Sequence, residues 1–445
     1  MRTVYNILFT LFFVLSSPYY FWRMQRRGNW VEGFLQRFGI YDTKLKQALT
    51  NRQTIWLHAV SVGEVNICTQ LIRALEPRVP NVKIVVSTTT TTGMDRLRTE
   101  LPSRVSKVYY PIDRRKYVAR AMASLKPKAI VLVESEIWPN FITRARHMRI
   151  PLFLVNARLS ERSYRRYKRF GFFFRPLFAT FAGVGAQNDP DAVRLRGLGC
   201  PAEAVRVVGS LKFDAAKLEE RRPLDVPALL GQLGVPPTAQ LLVAGSTHAG
   251  EEAALADICL RLRQRFPELF LVLAPRHHER SREVGRELDT RGVKFAYRSE
   301  ITAHTKSNPG ELQCLLVNTI GELKYFYEHA TIVFVGKSLT ARGGQNPIEP
   351  GALGKPMVFG PNMENFAEVA RSFVAQDGAV QVQDATELEA ALAQLLADKA
   401  RREQLGSNAA KVVRENLGPV ERTVDMIVGH LDPKVFYVPD RGSEA

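Results

Sequence analysis

Short apolar runs alternate with helical stretches along nearly the whole chain, and this alternation constrains the fold more than any other feature. The runs are rich in valine, isoleucine and leucine, as buried strands are. They lie at 54–60, 82–87, 128–134, 151–155, 182–186, 240–247, 269–276, 313–318, 331–336 and 356–360. In the second half, helical stretches fall at 250–265, 320–329, 363–376 and 386–415. Such a pattern predicts the α/β class, with parallel sheets that carry helices on both faces.

The length of the chain predicts two domains. Its 445 residues are too many for one hydrophobic core and suit two domains of about 200 residues each. We predict two Rossmann-like domains, 28–212 and 238–432, with a proline-rich linker at 213–237, a cleft between the domains and a tail at 433–445. No GxGxxG motif follows a strand and no P-loop motif occurs, which argues against the usual dinucleotide and P-loop sites.

Positive charge is concentrated in the first half of the chain. Residues 1–200 contain 33 Lys/Arg and 12 Asp/Glu, whereas the whole chain has a net charge of +18, so the remainder is slightly acidic. A basic half predicts an anionic partner, which is acidic lipid, a phosphorylated substrate or nucleic acid. The stretch 163–178 mixes basic residues with seven aromatic ones, which is typical of a membrane-surface patch and also of a nucleic-acid stacking surface.

The N-terminal region favours the membrane over nucleic acid. Residues 4–22 form a run of 19 residues without a charge, about the length of a membrane-spanning helix. Aromatic residues close the run and three arginines follow it, as at the cytoplasmic edge of a membrane. We predict a single N-terminal membrane anchor at 1–27, with the catalytic domains on the cytoplasmic face of the inner membrane and in contact with its lipid. Pro18 leaves open a helix that dips into one leaflet instead of spanning it.

Glu64 is the most informative position for chemistry. Residues 54–76 read as a strand, a tight turn and an amphipathic helix, and the turn lies at the carboxyl edge of a parallel sheet, where open α/β folds bind ligands. One interpretation of Glu64 is a first-turn glutamate stabilised by the helix dipole. The other is a general base, which Gly63 would let a substrate approach closely.

Three further charged residues lie at a predicted strand end or at the predicted domain junction. Glu134 and Glu136 end a buried strand, where a carboxylate is costly unless it is paired or functional. If Glu134 lies near Glu64, repulsion raises the proton affinity of one of them; the alternative is a structural pair between Glu134 and Arg158. Lys212, at the predicted domain junction, either reaches the cleft or is a solvated linker lysine.

Four turns at predicted strand ends of the second half combine glycine with polar and charged residues. They are 245–248, 275–278, 319–322 and 343–350. Glycine turns and helix N-termini present backbone N–H groups to phosphate, and arginine adds a bidentate contact. Their convergence on one sheet edge predicts a nucleotide site.

Metals and disulfides receive no support from the sequence. The four cysteines are scattered without CxxC spacing, which favours a reducing compartment. No HExxH motif or paired acidic motif indicates a metal site, so we expect no metal.

Seven segments together carry a family resemblance. They are HAVSVGE (58–64), ESEIWPN (134–140), NARLSERS (156–163), GSLKFD (209–214), STHAGEE (246–252), PRH (275–277) and GGQNPIEP (343–350). In this order they resemble the Kdo transferases (3-deoxy-D-manno-octulosonic acid transferases, glycosyltransferase family 30) over nearly the whole chain. The resemblance implies a GT-B fold, CMP-Kdo as the donor, the tetraacyl lipid A precursor (lipid IVA) as the acceptor, and no cofactor.

The resemblance also implies roles for individual residues. Glu64 corresponds to the catalytic base, and Glu134 and Lys212 correspond to positions that stabilise the transition state. The residues expected to bind CMP are Pro275, Arg276, Ile320, Gly321, Glu322, Asn346, Pro347, Ile348 and Glu349. Many members of the family have GGHN where this chain has Gln345 in GGQN, so a protonated-histidine role does not carry over.

Two other functions remain open from the sequence. One is a GT-B transferase that uses a UDP-sugar on another lipid. The other is a non-catalytic, basic, membrane-anchored protein that binds anionic lipid or nucleic acid. Replacement of Glu64 by alanine separates them, since it abolishes turnover of a transferase but leaves the affinity of a binding protein unchanged.

Overall fold

The protein consists of two compact units. A computed structural model describes residues 2–26, 31, 33–50, 52–216 and 224–431. The first unit comprises Met1–Asp214 together with Gly418–Ala445, and the second comprises Ala215–Leu417. The predicted tail at 433–445 lies outside the described residues, as do positions 217–223 of the predicted linker.

The first unit is built on a seven-stranded sheet in which every strand pairs in parallel. Its strands are β1 (Gln53–His58), β2 (Val82–Thr88), β3 (Ser106–Tyr109), β4 (Pro127–Val133), β5 (Leu152–Ala157), β6 (Phe181–Ala186) and β7 (Val205–Val207). The order across the sheet is β3-β2-β1-β4-β5-β6-β7. The order reverses between β1 and β4, and such a switch point is where doubly wound sheets bind their ligands.

Helices of the first unit cover both faces of this sheet and bury two apolar clusters against it. They are α1 (Arg2–Arg26), α2 (Thr43–Ala48), α3 (Val62–Leu75), α4 (Thr91–Glu100), α5 (Arg115–Leu125), α6 (Pro139–His147), α7 (Glu161–Arg169), α8 (Gly171–Phe178) and α9 (Asp189–Gly197). Side-chain caps precede several helices: Ser61 is the N-cap of α3, Thr90 that of α4 and Asn188 that of α9. Each cap satisfies a backbone N–H that would otherwise lack a partner.

The second unit repeats the architecture. Its strands are β8 (Gln240–Thr247), β9 (Leu269–Pro275), β10 (Phe295–Tyr297), β11 (Cys314–Leu316), β12 (Ile332–Val335), β13 (Met357–Phe359) and β14 (Val380–Gln381), in the order β10-β11-β9-β8-β12-β13-β14. All pair in parallel, and the order reverses between β8 and β12. Its helices are α10 (Val226–Gln232), α11 (Glu251–Arg263), α12 (Ser281–Thr290), α13 (Leu323–His329), α14 (Ile348–Ala352), α15 (Ala367–Ala375), α16 (Ala385–Ala397) and α17 (Lys399–Glu415). The prediction of two parallel α/β sheets is confirmed.

The C-terminal segment differs from the prediction, which placed all of 238–432 in one domain. The last described helix, α18 (Pro419–Val428), belongs to the first unit. Its apolar residues, including Val424 and Ile427, pack in the cluster that contains β1 and α3. Asp214 accepts hydrogen bonds from the backbone N–H groups of Gly418 (2.8 Å) and Val420 (2.6 Å). This acidic side chain therefore caps a helix that begins 204 positions later in the chain.

Three smaller expectations were wrong. The strands β3, β7, β10 and β14 were not predicted, because they are short and lie wholly or partly outside the buried core. The single helix expected at 386–415 is two helices, since Asp398 ends α16 and caps α17. The linker expected at 213–237 contains α10, whose first turn is capped by Asp225.

The predicted membrane anchor at 1–27 coincides largely with one helix. Residues 2–26 form the continuous helix α1, whereas Met1 and Arg27 lie outside the described residues. Among the described helices, none is long and apolar enough to cross a membrane. The structure thus gives no support to a membrane-spanning helix at 1–27.

Candidate active site

The switch point of the first sheet brings two of the predicted glutamates to neighbouring strands. The chain leaves β1 at His58 and enters α3 at Val62, so that Glu64 lies in the first turn of that helix. Strand β4 pairs with β1 and ends at Val133, directly before Glu134. Both carboxylates thus occupy the carboxyl edge of the sheet, where the sequence predicted a site.

Glu64 closes a capping box at the start of α3. Ser61 Oγ accepts a hydrogen bond from the backbone N–H of Glu64 (3.3 Å), and the Ser61 hydroxyl donates to Glu64 Oε1 (2.8 Å). Oε2 accepts a hydrogen bond from the backbone N–H of Val60 at 2.8 Å. These bonds fix the carboxylate in place, and the residue is only 8% exposed. Glu64 thus lies in the first helical turn, as the structural interpretation expected, and the capping box is an addition to it. This position is compatible with a role as base, because a fixed carboxylate needs no reorganisation before it accepts a proton.

Burial changes the proton affinity of Glu64. Burial raises its pKa, and the charge of Glu134 raises it further, whereas hydrogen bonds from Val60 and Ser61 oppose the increase. Repulsion by Glu134 was expected from the sequence, but loss of solvent is the larger cause. A carboxylate with a raised pKa is a stronger base once it has lost its proton.

Glu134 and Lys212 lie side by side. Lys212 Nζ is 3.9 Å from Glu134 Oε1, and both side chains are largely buried. Burial lowers the pKa of Lys212, and the negative charge of Glu134 counters this effect. Glu134 has a backbone φ of 62°, in the left-handed region that a residue with a Cβ rarely adopts. The structure thus joins the two positions that the resemblance assigned to transition-state stabilisation.

Asn156 holds this pair together and was not predicted. It is buried, follows Val155 at the end of β5 and has a φ of 50°. Its Oδ1 accepts a hydrogen bond from the backbone N–H of Leu211 (3.1 Å), and its Nδ2 donates to Glu134 Oε1 (3.4 Å). One amide side chain therefore ties the segment that carries Lys212 to the end of β4.

Glu136 is a third carboxylate at the same edge. Burial raises its pKa to about 7, and the charges of Glu64 and Glu134 add to the increase, although Trp138 Nε1 donates a hydrogen bond to Oε2 at 2.7 Å. The sequence singled out Glu136 as a strand-end carboxylate but assigned it no role. The feature that could have pointed to a role for Glu136 was its position two residues after Glu134, on the same loop.

The second unit gathers cationic side chains at its own switch point. Burial and nearby positive charges lower the pKa of His248 to about 4; those charges belong to Lys337, His277, Arg280 and Arg276. The rings of His248 and His277 lie edge to face, 5.5 Å apart. His248 is therefore neutral at pH 7 within a positive field, which suits the binding of an anion.

Glu251 organises the loops of this cationic edge, by which we mean His248 and the cationic residues around it, Arg276, His277, Arg280 and Lys337. Its side chain is fully buried and accepts four backbone hydrogen bonds. Oε2 binds the N–H groups of Lys337 (2.7 Å) and His248 (2.9 Å), and Oε1 binds those of Ser338 (2.8 Å) and Leu339 (2.9 Å). The turn after β8 and the loop after β12 are thereby locked to each other. Sequence reasoning missed this role, because Glu251 reads as an ordinary first-turn glutamate.

The GGQNPIEP segment lies against the same loop. Gly343 and Gly344 have φ values of 126° and 69°, and a Cβ at Gly343 would lie 2.8 Å from Asn365 Nδ2 and 3.2 Å from Lys337 Cε. Gln345 Nε2 is 3.4 Å from His248 Nε2, so that the glutamine of this segment contacts His248. Glycine at 343 therefore leaves room for the side chains of Asn365 and Lys337.

Four predicted CMP-binding residues form the end of that segment. Asn346 Oδ1 accepts a hydrogen bond from the N–H of Ile348 (3.0 Å), and Asn346 Nδ2 donates to Glu349 Oε1 (3.0 Å). Pro347 directly precedes α14, and Ile348 is its first residue. Burial raises the pKa of Glu349, whereas the Asn346 bond and the charge of Arg276 lower it. Glu349 and Arg276 are thus electrostatically coupled.

The other residues that were predicted to bind CMP lie at the end of β9 and after β11. Pro275 is the last residue of β9, and the N–H of Arg276 donates to the Thr247 carbonyl at 3.0 Å. Glu322 forms an ion pair with Arg298 at 3.0 Å, Gly321 has a φ of 86°, and Ile320 is 79% exposed. Glu322 therefore already has a cationic partner, whereas Ile320 offers a large apolar surface.

Comparisons with known proteins identify the family. Residues 32–215 match the model described as 3-deoxy-D-manno-octulosonic-acid transferase (kdotransferase), and residues 297–412 match glycosyl transferases group 1. The chain is 33% identical over 403 residues to the 3-deoxy-D-manno-octulosonic acid transferase of Haemophilus influenzae, covering 90% of this chain and 92% of that protein. The chain belongs to the 3-deoxy-D-manno-octulosonic acid transferase family. The transferase of the same name from Bordetella pertussis is 34% identical over 418 residues, covering 91% of this chain and 94% of that protein.

The architecture agrees with this family. A crystal structure of a glycosyltransferase from Rickettsia africae superposes with a TM-score of 0.56 at 11% identity, covering 86% of this chain and 99% of the other. That likeness shows the fold, which is that of the GT-B glycosyltransferases. The Kdo transferase family performs sugar transfer in lipopolysaccharide biosynthesis, so the non-catalytic alternative left open by the sequence loses its support.

Proposed function

We propose that this Kdo transferase moves Kdo from CMP-Kdo to the primary hydroxyl of lipid IVA, with inversion at the anomeric carbon. One observation carries the proposal: Glu64, Glu134 and Lys212, three residues singled out from the sequence, gather at the switch point of one sheet. Transfer to a hydroxyl group requires a base that accepts its proton and charged groups that stabilise the transition state, and a buried base beside a buried ion pair supplies both.

In the proposed reaction Glu64 is the general base. The carboxylate accepts the proton of the acceptor hydroxyl, whose oxygen forms a bond to the anomeric carbon of Kdo. The bond between that carbon and the phosphate oxygen breaks, and CMP leaves with the electron pair. Attack from the side opposite to the leaving group inverts the configuration, in line with the use of a single carboxylate base by inverting enzymes that act on glycosides.

Lys212 and Glu134 support this step electrostatically. The Lys212 ammonium offsets negative charge that develops on the sugar or on the leaving phosphate. Glu134 and Asn156 hold the lysine segment in place. The low exposure of both charged side chains strengthens their interaction, since less water screens it.

The cationic edge of the second unit is the proposed site for CMP. Lys337 and Arg276 supply positive charge around the neutral His248, and the loop glycines let a phosphate approach the backbone. Pro275, Ile320, Gly321, Glu322 and the 346–349 segment complete the proposed nucleotide site. We propose that no cofactor takes part, because cationic side chains of the protein balance the negative charge of the phosphate.

The helix α1 supports a location at the cytoplasmic face of the inner membrane. Its outward face is apolar, with Leu8, Leu11, Phe12 and Leu15 each more than half exposed. Four of its polar residues are partly buried: Asn6, Thr10, Ser16 and Ser17. Such an arrangement is the reverse of that in a helix bathed in water. We infer that the apolar face of α1 lies in the lipid interface, next to a basic unit that attracts anionic lipid and the phosphates of the acceptor.

The experiment that tests the function is transfer of labelled Kdo, with CMP-Kdo generated in situ, to lipid IVA in detergent. Wild type is compared with Glu64→Gln, which keeps the capping box but removes the base. Glu203→Gln, at an exposed position of the same unit, is the matched control. Product from wild type and from the control, but not from Glu64→Gln, supports the proposal. A folded wild type that transfers sugar only from a UDP-sugar would overturn it.

A further inference from the structure

The inward face of α1 makes two specific contacts with the rest of the first unit. The Tyr5 hydroxyl donates a hydrogen bond to Asp113 Oδ2 at 2.8 Å. The Asn6 Oδ1 atom accepts a hydrogen bond from Asn140 Nδ2 at 2.9 Å. The Tyr5 ring also lies 5.9 Å from the ring of Phe173 in α8. The polar side chains of Tyr5 and Asn6 therefore have specific polar partners in other segments of the first unit.

Asp113 is the centre of this network. It is 1% exposed and accepts hydrogen bonds from the N–H groups of Asn140 (3.0 Å) and Phe141 (2.8 Å) through its two carboxylate oxygens. The Asp113 carbonyl accepts a further bond from Asn140 Nδ2 at 2.7 Å. The residue at the N-cap of α6 is Trp138, whose side chain caps nothing. Asp113 therefore caps α6 from another segment of the chain.

The helix that Asp113 caps directly follows the carboxylate loop, which we define as residues 134–138. This loop carries Glu134, which contacts Lys212, and Glu136, whose carboxylate accepts a hydrogen bond from Trp138. On the β4 side the loop is held by the bond from the Glu134 N–H to the Val155 carbonyl (2.9 Å) and by the contacts of the Glu134 side chain with Asn156 and Lys212. Its other end is fixed where α6 begins. The position of the first turn of α6 therefore sets where Glu136, at that end of the loop, lies.

We propose that Tyr5 and Asn6 are positioning residues of the active site: through Asp113 and Asn140, α1 sets the place of the carboxylate loop. The helix whose apolar side is proposed to face lipid is then the same helix that positions the α6 end of this loop. The kinetic part of this inference rests on the proposed function, but its structural part does not.

The test is a pair of variants of the full-length protein, Tyr5→Phe and Tyr5→Phe/Asn6→Ala. Phenylalanine keeps the ring beside Phe173 and removes only the hydroxyl. The control is Tyr19→Phe, which changes an exposed tyrosine of the same helix. Amide hydrogen exchange is followed at the start of α6, together with kcat, KM and the pH profile of kcat. Binding to vesicles of phosphatidylethanolamine and phosphatidylglycerol is measured in parallel.

The expected result is specific to the loop. Exchange at Asn140 and Phe141 rises by about tenfold in Tyr5→Phe, since the buried Asp113 carboxylate loses the Tyr5 hydroxyl. It rises by more in the double variant, since the Asn140 side chain also loses its Asn6 partner. The kcat falls by a similar factor, its pH profile shifts, and vesicle binding and the control stay at the wild-type level. Unchanged exchange at α6 in the double variant would overturn the inference. Increased exchange in an enzyme whose wild type shows no Kdo transfer would instead reject the proposed function and leave the positioning role intact.

Discussion

The Lys212 ammonium lies 3.9 Å from the Glu134 carboxylate, and both come from loops that the buried Asn156 ties together. This pair stands beside Glu64, whose pKa is raised by burial and by the charge of Glu134. The Lys212 ammonium thus lies beside Glu134 and within the field of Glu64, and its charge is expected to matter more to the transition state than to stability.

Replacement of that charge is the first prediction. Lys212→Met is expected to lower kcat by about 100-fold, because the developing negative charge loses its nearest cation. Lys212→Arg keeps the charge and is expected to retain more activity than Lys212→Met. The control is Lys128→Met, at an exposed position on β4. Equal activity of Lys212→Met and wild type, with folding verified by circular dichroism, would contradict an electrostatic role.

The second prediction concerns pH and stability. Burial raises the pKa of Glu136 from 4.5 to about 7. Between these values the folded protein holds a proton that the unfolded chain has lost, so the free energy of unfolding falls as pH rises through that range. Glu136→Gln removes this dependence. The free energy of unfolding of the variant, relative to that of wild type, should therefore be about 2 kcal/mol higher at pH 8 than at pH 5.

Urea unfolding of wild type and Glu136→Gln at both pH values provides the measurement. Glu203→Gln serves as the control, because an exposed glutamate is not expected to show a comparable change. A stability difference between Glu136→Gln and wild type that is the same at pH 5 and pH 8 would mean that Glu136 has an ordinary pKa in the folded protein.

Much of the fold was predictable because the central strands are buried on both faces. Strands such as β4 and β5 are nearly continuous apolar runs, and such runs stand out in a sequence. The edge strands β3 and β7 are short and partly exposed, so their residues resemble loops. The return of α18 to the first unit depends on the cap that Asp214 supplies. No local pattern shows a contact between residues so far apart in sequence.

The site divides in the same way. Glu64, Glu134 and Lys212 stood out because charged residues at strand ends are costly and because their segments resemble a family. Asn156 and Glu251 did not, since an asparagine after a strand and a glutamate in a first helical turn are common. Their importance lies in partners from other loops: Leu211 for Asn156, and Lys337 for Glu251. Such partners become visible only in three dimensions.

Asn156 provides the third prediction, which separates backbone strain from hydrogen bonding. Asn156→Ala loses the bonds to Leu211 and Glu134 and keeps the left-handed φ of 50° with a side chain that disfavours it. It is expected to lower the free energy of unfolding by about 3 kcal/mol. Asn156→Gly loses the same bonds but tolerates the backbone angle, so it should cost about 1 kcal/mol less. Urea unfolding measures both, and a glycine variant less stable than the alanine variant would show that strain plays no part.

Glu251 provides the fourth prediction, which concerns the donor site. In Glu251→Gln one carboxylate oxygen becomes an amide NH2 that faces two backbone N–H donors, either those of His248 and Lys337 or those of Ser338 and Leu339. The loop after β12 then separates from the turn after β8, and the cations around His248 lose their alignment. We expect the Kd for CMP, measured by isothermal titration calorimetry, to rise by about 30-fold, since two hydrogen bonds to a buried charge are replaced by repulsion.

A matched substitution shows whether this effect is specific. Glu368→Gln changes a glutamate in the first turn of another helix of the same unit, α15, where the side chain binds Arg371 at the surface. Its Kd for CMP should equal that of wild type. If Glu251→Gln binds CMP as tightly as wild type does while its thermal stability falls, the frame built by Glu251 supports the fold alone. Loss of CMP affinity with little loss of stability is the outcome that assigns this buried glutamate to the donor site.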